Sequence, residues 1–160
     1  MAFKFLNKET IHDSEEFHIK EAGWRETREL HQVFKDAFSD KWKGVPSSKF
    51  VLVALDKKSG KVIGGIESAV DIKLALADEK SFAVSPEFRD KGVGTALLQT
   101  MHNELKRLGV RKVTTVPTEK SWNIFRKHGY DYPPAMKAEL RIRNLDEKGY
   151  AEGAKLVKLL

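Results

Sequence analysis

The 160-residue sequence contains no cysteine, which excludes disulfide staples, thiolate metal ligands and a cysteine nucleophile together. None of its five histidines forms a pair at the HExxH spacing of a helical metal site, and no metal is expected. No apolar run approaches the roughly 20 residues that a membrane-spanning helix needs, so no membrane partner is expected. Met1–Lys8 is short and broken by lysine, unlike a secretory leader; a cytoplasmic location follows as the expectation. Repeats, low-complexity tracts and linker-like stretches are missing as well. Residues 1–160 therefore read as a single domain, long enough to bury a core without covalent help.

Hydrophobic residues make up 41% of the chain and charged residues 32%, the balance of an ordinary globular protein. The formal net charge of +6 is unevenly placed. Arg89–Lys127 carries nine basic residues (Arg89, Lys91, Lys106, Arg107, Arg111, Lys112, Lys120, Arg126 and Lys127) against the three acids Asp90, Glu104 and Glu119. All of the excess charge lies in that stretch, and a concentrated positive field favours an anionic partner: a polyphosphate cofactor, an acidic protein or nucleic acid. A solvated basic face would look the same on charge alone.

Patterning predicts a mixed α/β order. Residues 1–16 read as an N-terminal arm, Phe17–Glu21 as a first strand, and Arg25–Phe38 as a helix with Leu30, Val33, Phe34, Ala37 and Phe38 at helical spacing. Ser39–Ser48 reads as a loop or short second helix. Phe50–Leu55 and Val62–Val70 are strands joined by the turn Asp56–Lys61, and a third strand follows over about Ala75–Val84 after a bend at Asp71–Lys73. Thr95–Leu108 is a helix that Gly109 ends. Lys112–Val116 is a strand, Pro117–His128 a short helix closed by Gly129, Ala138–Arg143 a last strand, and 145–160 a tail or terminal helix.

The chemistry is carried by Phe82-Ala83-Val84-Ser85-Pro86-Glu87-Phe88-Arg89-Asp90-Lys91-Gly92-Val93-Gly94-Thr95, a strand, a turn and a helix start. Gly92 and Gly94 clear side chains where a backbone must approach a ligand. The helix start offers free N–H groups and the positive end of its dipole, a ready phosphate site, with Arg89 and Lys91 at its mouth. A Walker A loop needs Lys and then Ser or Thr after its last glycine, but Gly94 is followed by Thr95-Ala96. A dinucleotide fingerprint needs glycine where Leu97 stands. A helix start with two turn glycines and no ligand would share the same short pattern.

A longer pattern separates these readings. Val-x-Pro-x-x-Arg-x-x-Gly-x-Gly, from Val84 to Gly94, resembles the acetyl-CoA signature of the GNAT superfamily of N-acetyltransferases. Lys112–Val116 resembles that family's strand after the signature helix, Ser121–Tyr130 its closing helix and Gly-aromatic segment, and Arg25–Phe38 its first helix; the likeness covers about residues 17–143. It implies a central mixed sheet, largely antiparallel and flanked by helices, splayed between its fourth and fifth strands (here Ala75–Val84 and Lys112–Val116). It also implies acetyl-CoA as cosubstrate and direct attack by a primary amine, of a small molecule or a protein, in a ternary complex. Phe82, Ala83 and Val84 would hold the pantetheine arm, with a main-chain N–H near Val84 polarising the thioester. The backbone of Arg89, Asp90, Lys91, Gly92, Val93, Gly94 and Thr95 would wrap the pyrophosphate, and Ser121, Phe125 and Lys127 would complete the cofactor site. Trp42, Phe38 and Tyr132 are the expected walls of the acceptor pocket.

The resemblance also implies a carboxylate base early in the fourth strand. Asp78 takes that position and Glu79 is its neighbour; alternation sends them to opposite faces, so one of the two is the expected base. Where many members place an acidic tyrosine, this chain has Phe125, and Thr118 replaces a frequent asparagine. Tyr130, Tyr132, His128 and Ser121 are the possible substitutes. The missing tyrosine keeps a second function in view, a non-catalytic acyl-CoA-binding regulatory domain. A third, a basic nucleic-acid-binding domain, has no helix-turn-helix, RNP pattern or interleaved aromatics behind it. The acceptor and the oligomeric state, a homodimer included, stay open.

Overall fold

The structure is a computed structural model that describes residues 10–39, 49–146 and 148–160. Among these residues, seven strands form one sheet in chain order: β1 (Thr10–Asp13), β2 (Phe17–Glu21), β3 (Lys49–Asp56), β4 (Val62–Asp71), β5 (Leu76–Val84), β6 (Lys112–Thr115) and β7 (Leu156–Leu159). Every neighbouring pair is antiparallel except β5 and β6, which run parallel. That one parallel join needs a crossover, supplied by α2 (Val93–Arg107). The other helices are α1 (Trp24–Phe38), α3 (Glu119–Lys127) and α4 (Pro134–Ile142).

Alternation along β3 divides the core in two. Phe50, Leu52 and Ala54 face the large cluster formed with Leu97, Leu98, Met101 and Leu105 of α2. Val51 and Val53 face the opposite way, against Leu30 and Phe34 of α1. Each of those fully buried aliphatic side chains contributes about 1.5–3 kcal/mol of hydrophobic stabilisation. Gly65 of β4 lets α1 seat on its face: a Cβ there would stand 2.4 Å from a Leu30 methyl and 2.8 Å from the Leu52 carbonyl oxygen.

Most of the expected elements stand where the pattern put them, with three corrections. The N-terminal arm contains a strand, β1, which pairs with β2 through Thr10–Lys20, His12–Ile19 and Asp13–His18. The expected strand Ala138–Arg143 falls instead in the last turns and C-cap of α4: Pro134 occupies the first turn of that helix, where its missing N–H costs nothing, and Leu140 is its buried anchor. The tail ends in a strand, not a helix, because Leu156–Leu159 completes the ladder on the free edge of β6. Of the segment expected as a loop or second helix, residues 40–48 lie outside the described residues, and so does Trp42. Among the described residues, no helix is long and apolar enough to cross a membrane.

Candidate active site

The parallel pairing of β5 with β6 ends early. Partners run from Leu76–Lys112 to Glu79–Thr115 and stop, while β5 continues five residues further to Val84. The sheet therefore forks beyond Glu79 and Thr115, which is the expected splay between the strands over Ala75–Val84 and Lys112–Val116. A bulge marks the fork: Glu67 pairs with Ser81 and Ser68 with Glu79, so Lys80 has no cross-strand partner. Ser85 donates its N–H to Ile63 O at 2.8 Å, and that fixes the phase of the β4–β5 ladder. The peptide groups of Phe82 and Val84 consequently turn away from β4, into the fork.

At the open end of the fork lies a cavity of about 950 Å³. Phe82, Ala83 and Val84 form one wall, and the turn Arg89, Asp90, Gly92, Val93, Gly94 and Thr95 forms its floor. Ser121 and Ile124 of α3, with Thr118–Lys120, close one side, and Ala37, Phe38 and Ser39 at the end of α1 close another. The turn is tight because Asp90 and Gly92 both take left-handed backbone, at φ 60° and 80°. Arg89 is anchored through Nε to Val84 O at 3.1 Å. Among the described residues no side chain caps α2, and Ala96 is the first residue whose N–H reaches back, to Gly92 O. The N–H groups of Val93, Gly94 and Thr95 thus precede the helical ladder, at the positive end of the helix dipole.

Two expected cofactor residues stand apart from this cavity. Lys91 places Nζ over the Phe88 ring, 5.4 Å from its centroid. Lys127 lies in the last turn of α3 and lines neither cavity. Phe125 is buried at the apex of the fork, where it lines a smaller cavity of about 50 Å³ with Phe38, Glu79, Ser81, Thr115 and Ser121. Its ring stacks on Tyr130 at 5.0 Å and tilts against Phe82 at 5.7 Å.

Asp78 and Glu79 do take opposite faces. Asp78 is partly exposed, accepts a hydrogen bond from Thr114 Oγ1 at 2.9 Å and pairs with Lys80 at 2.5 Å; it lines neither cavity. Glu79 is buried on the α2 face and lines the apex cavity. Its Oε1 accepts a short hydrogen bond from the Tyr130 hydroxyl. Tyr130 Oη in turn lies 2.7 Å from His102 Nε2, itself 3.5 Å from Glu79 Oε1. Burial and the adjacent Glu79 carboxylate push the Tyr130 phenol far above its ordinary range.

The remaining candidates have structural duties. His128 ends α3, with Nδ1 2.8 Å from Ile124 O. Ser121 exchanges hydrogen bonds with Thr118 as a capping box for α3, which explains Thr118 at that position. Tyr132 is buried away from both cavities; its hydroxyl donates to Gly149 O and accepts from Ala151 N–H, bracing the approach to β7. It lines neither of these two cavities, whereas Phe38 lines both. His102 escaped the sequence reading. The available signal was its place on the buried stripe of α2, one turn beyond Leu98 and next to Met101.

A mixed sheet forked at the one parallel join among the described residues, with an uncapped helix start facing the fork, is an α/β arrangement that offers backbone N–H groups to an anion. Residues 12–130 match the Acetyltransferase (GNAT) family, and the chain belongs to it. The family binds acyl-CoA. Solved structures agree on the fold. Tetrahymena GCN5 is similar over 82% of this chain and 84% of its own, with a TM-score of 0.67 at 20% identity. A GNAT-family acetyltransferase from Staphylococcus aureus Mu50 matches over 90% and 99%, at 0.68 and 13%. N-acetylglutamate synthase from Neisseria gonorrhoeae, solved with coenzyme A and N-acetyl-glutamate, matches over 92% of this chain and 36% of its own, at 0.66 and 13%. No curated protein matches the sequence.

Proposed function

We propose that this protein transfers the acetyl group of acetyl-CoA to a primary amine by direct attack in a ternary complex. The observation that carries the reading is the fork itself, a gap between β5 and β6 that leads from the apex to the uncapped start of α2 through one continuous wall, Phe82–Val84. A pantetheine arm laid along that wall meets the outward peptide groups of Phe82 and Val84. The pyrophosphate then reaches the N–H groups of Val93, Gly94 and Thr95, with Arg89 beside them. The Phe82 N–H lies nearer the apex than that of Val84, so it is the better placed to polarise the thioester carbonyl. The end of α1, with Phe38, offers the acceptor its approach. The protein's contribution is then mainly alignment and oxyanion stabilisation.

The test is turnover of acetyl-CoA with a panel of primary amines (spermidine, an aminoglycoside, a lysine peptide and a free peptide N-terminus), read as thiol release. Release that depends on one of these amines is the expected result. Tight CoA binding with no release across the panel supports the regulatory, non-catalytic reading instead.

A further inference from the structure

Glu79, Tyr130 and His102 form a buried polar chain that alignment of the cofactor does not require. Three observations bear on its purpose. The chain ends at the fork: Glu79 is a wall of the apex cavity that Phe125 also lines. Glu79 Oε2 is buried and has no hydrogen-bond partner among the described residues, and neither has Ser68 Oγ, directly across the ladder from it. A buried carboxylate oxygen is costly to leave unpaired, and such atoms mark sites where something else is meant to bind or exchange. Finally, the Glu79 side chain is 1% exposed, so a bulky acceptor cannot reach it, whereas a thiol on a thin arm entering the fork arrives at the cavity it lines.

We propose, resting on the acetyltransferase reading above, that Glu79 is the acid that protonates the departing CoA thiolate, with Tyr130 and His102 as positioning residues that resupply its proton. The amine forms the new C–N bond, and the C–S bond breaks with its electron pair left on sulfur. The Glu79 carboxyl O–H then breaks as the CoA S–H forms. The carboxylate recovers its proton in one concerted shift, Tyr130 Oη giving its proton to Glu79 as it takes one from His102 Nε2, so that no phenolate forms; His102 is reprotonated from water at its narrow exposed edge. The amine nitrogen loses two protons in passing from ammonium to amide, one before attack and one after, both to solvent; one returns through the chain to sulfur, so that ammonium and thioester become amide, thiol and one released proton. Around Glu79 the titratable contacts are His102 from α2 and Tyr130 from the segment after α3. The facing strands bring the uncharged Ser68 of β4 and Thr115 of β6, and α3 brings Phe125. The arrangement does the work of a hydroxyl at residue 125 from another residue that lines the same cavity.

Two measurements test this on the full chain. In the first, the thiol of bound CoA is titrated by its thiolate absorbance in the wild type and in Glu79→Gln. Removing the carboxyl should lower the pH at which the bound thiol ionises, with CoA affinity within about threefold at neutral pH. In the second, kcat and KM are followed against pH with whichever panel amine turns over. Glu79→Gln should lose on the order of 10²-fold or more in kcat, keep its KM for acetyl-CoA, and lose the high-pH fall in rate while retaining the low-pH rise that the amine imposes. Tyr130→Phe keeps the ring and removes the donor to the carboxylate, so the high-pH fall should move upward in pH. Adding Phe125→Tyr to Glu79→Gln should restore much of the lost rate. Loss of the low-pH rise instead would make Glu79 the amine's base and overturn the assignment. Unchanged thiol titration and pH profile, with CoA still bound, would reduce the triad to a core network. Failure of the wild type to bind CoA would overturn the acetyltransferase reading, and the proposal with it.

Discussion

Gly92 and Gly94 sit two residues apart but are glycine for different reasons. Gly92 has backbone at φ 80°, and a Cβ on it would meet nothing within 4 Å. Its alanine variant is limited by backbone strain alone, about 1–2 kcal/mol for a left-handed residue with a side chain. Gly94 is not in that conformation, and a Cβ there would lie 3.3 Å from Ile124 Cδ1 and 3.4 Å from Phe82 Cζ, at the mouth of the fork. Those neighbours are side-chain ends that can give, so Gly94→Val should fold with little loss while its branches fill the ligand's path. Calorimetry with CoA should show a tenfold or greater loss of affinity in Gly94→Val. Gly92→Ala should lose mainly urea stability. Equal CoA affinity in Gly94→Val and wild type would make that glycine mere turn punctuation. The glycine spacing itself was readable from the sequence; which glycine bears strain and which bears space required the folded neighbours.

Elements were legible where their own pattern determined them and illegible where a neighbour did. α1 and α2 each bury one stripe, and β3 alternates between two cores, so periodicity found them. Ala138-Glu139-Leu140-Arg141-Ile142-Arg143 also alternates and reads as a strand, yet Ile142 is 85% exposed and only Leu140 is buried. Good helix formers after two prolines outweighed that coincidence of spacing. β1 and β7 are four residues each, too short for periodicity, and are strands because β2 and β6 offer them an edge. The same limit hid the apex of the site: Glu79 and Tyr130 lie 51 residues apart in sequence, and Tyr130 and His102 lie 28 apart. The turn Arg89–Thr95, being local, was readable as a strand-to-helix turn, although Lys91 lies over Phe88 instead of lining the cavity. β7 gives this argument a measurable form. Leu156 is fully buried in the large cluster although its strand lies at the sheet edge. Leu156→Ala should therefore cost about 2–5 kcal/mol in urea unfolding, whereas Leu159→Ala, at 78% exposure, should change stability little. Equal effects would mean that β7 is not anchored through Leu156.

For the molecule as a whole, the excess positive charge falls on the segment that builds the cleft. Arg89–Lys127 contains the turn that lines the larger cavity, all of α2, β6 and all of α3, and it holds the entire net charge of +6. Such a field favours a polyanionic ligand from a distance, and on the proposed reading the backbone N–H groups at the helix start hold it at close range. Those two contributions respond differently to salt, because exposed charges more than about 10 Å apart are screened at 0.1 M ionic strength and short hydrogen bonds are not. Ligand that binds only the folded state stabilises it by about 2.7 kcal/mol at one hundred times Kd, and in a chain of this size each kcal/mol moves Tm by about 2–4 °C. CoA and acetyl-CoA at that occupancy should therefore raise Tm by about 5–11 °C. ATP and NAD at equal concentration should do much less, since they bring phosphates but no arm to lie along Phe82–Val84. Raising salt from 50 to 300 mM should weaken CoA binding but not abolish it, and Arg89→Ala should flatten that dependence. A Tm shift from ATP equal to that from CoA would show that charge alone selects the ligand, and that the fork between β5 and β6 holds no pantetheine.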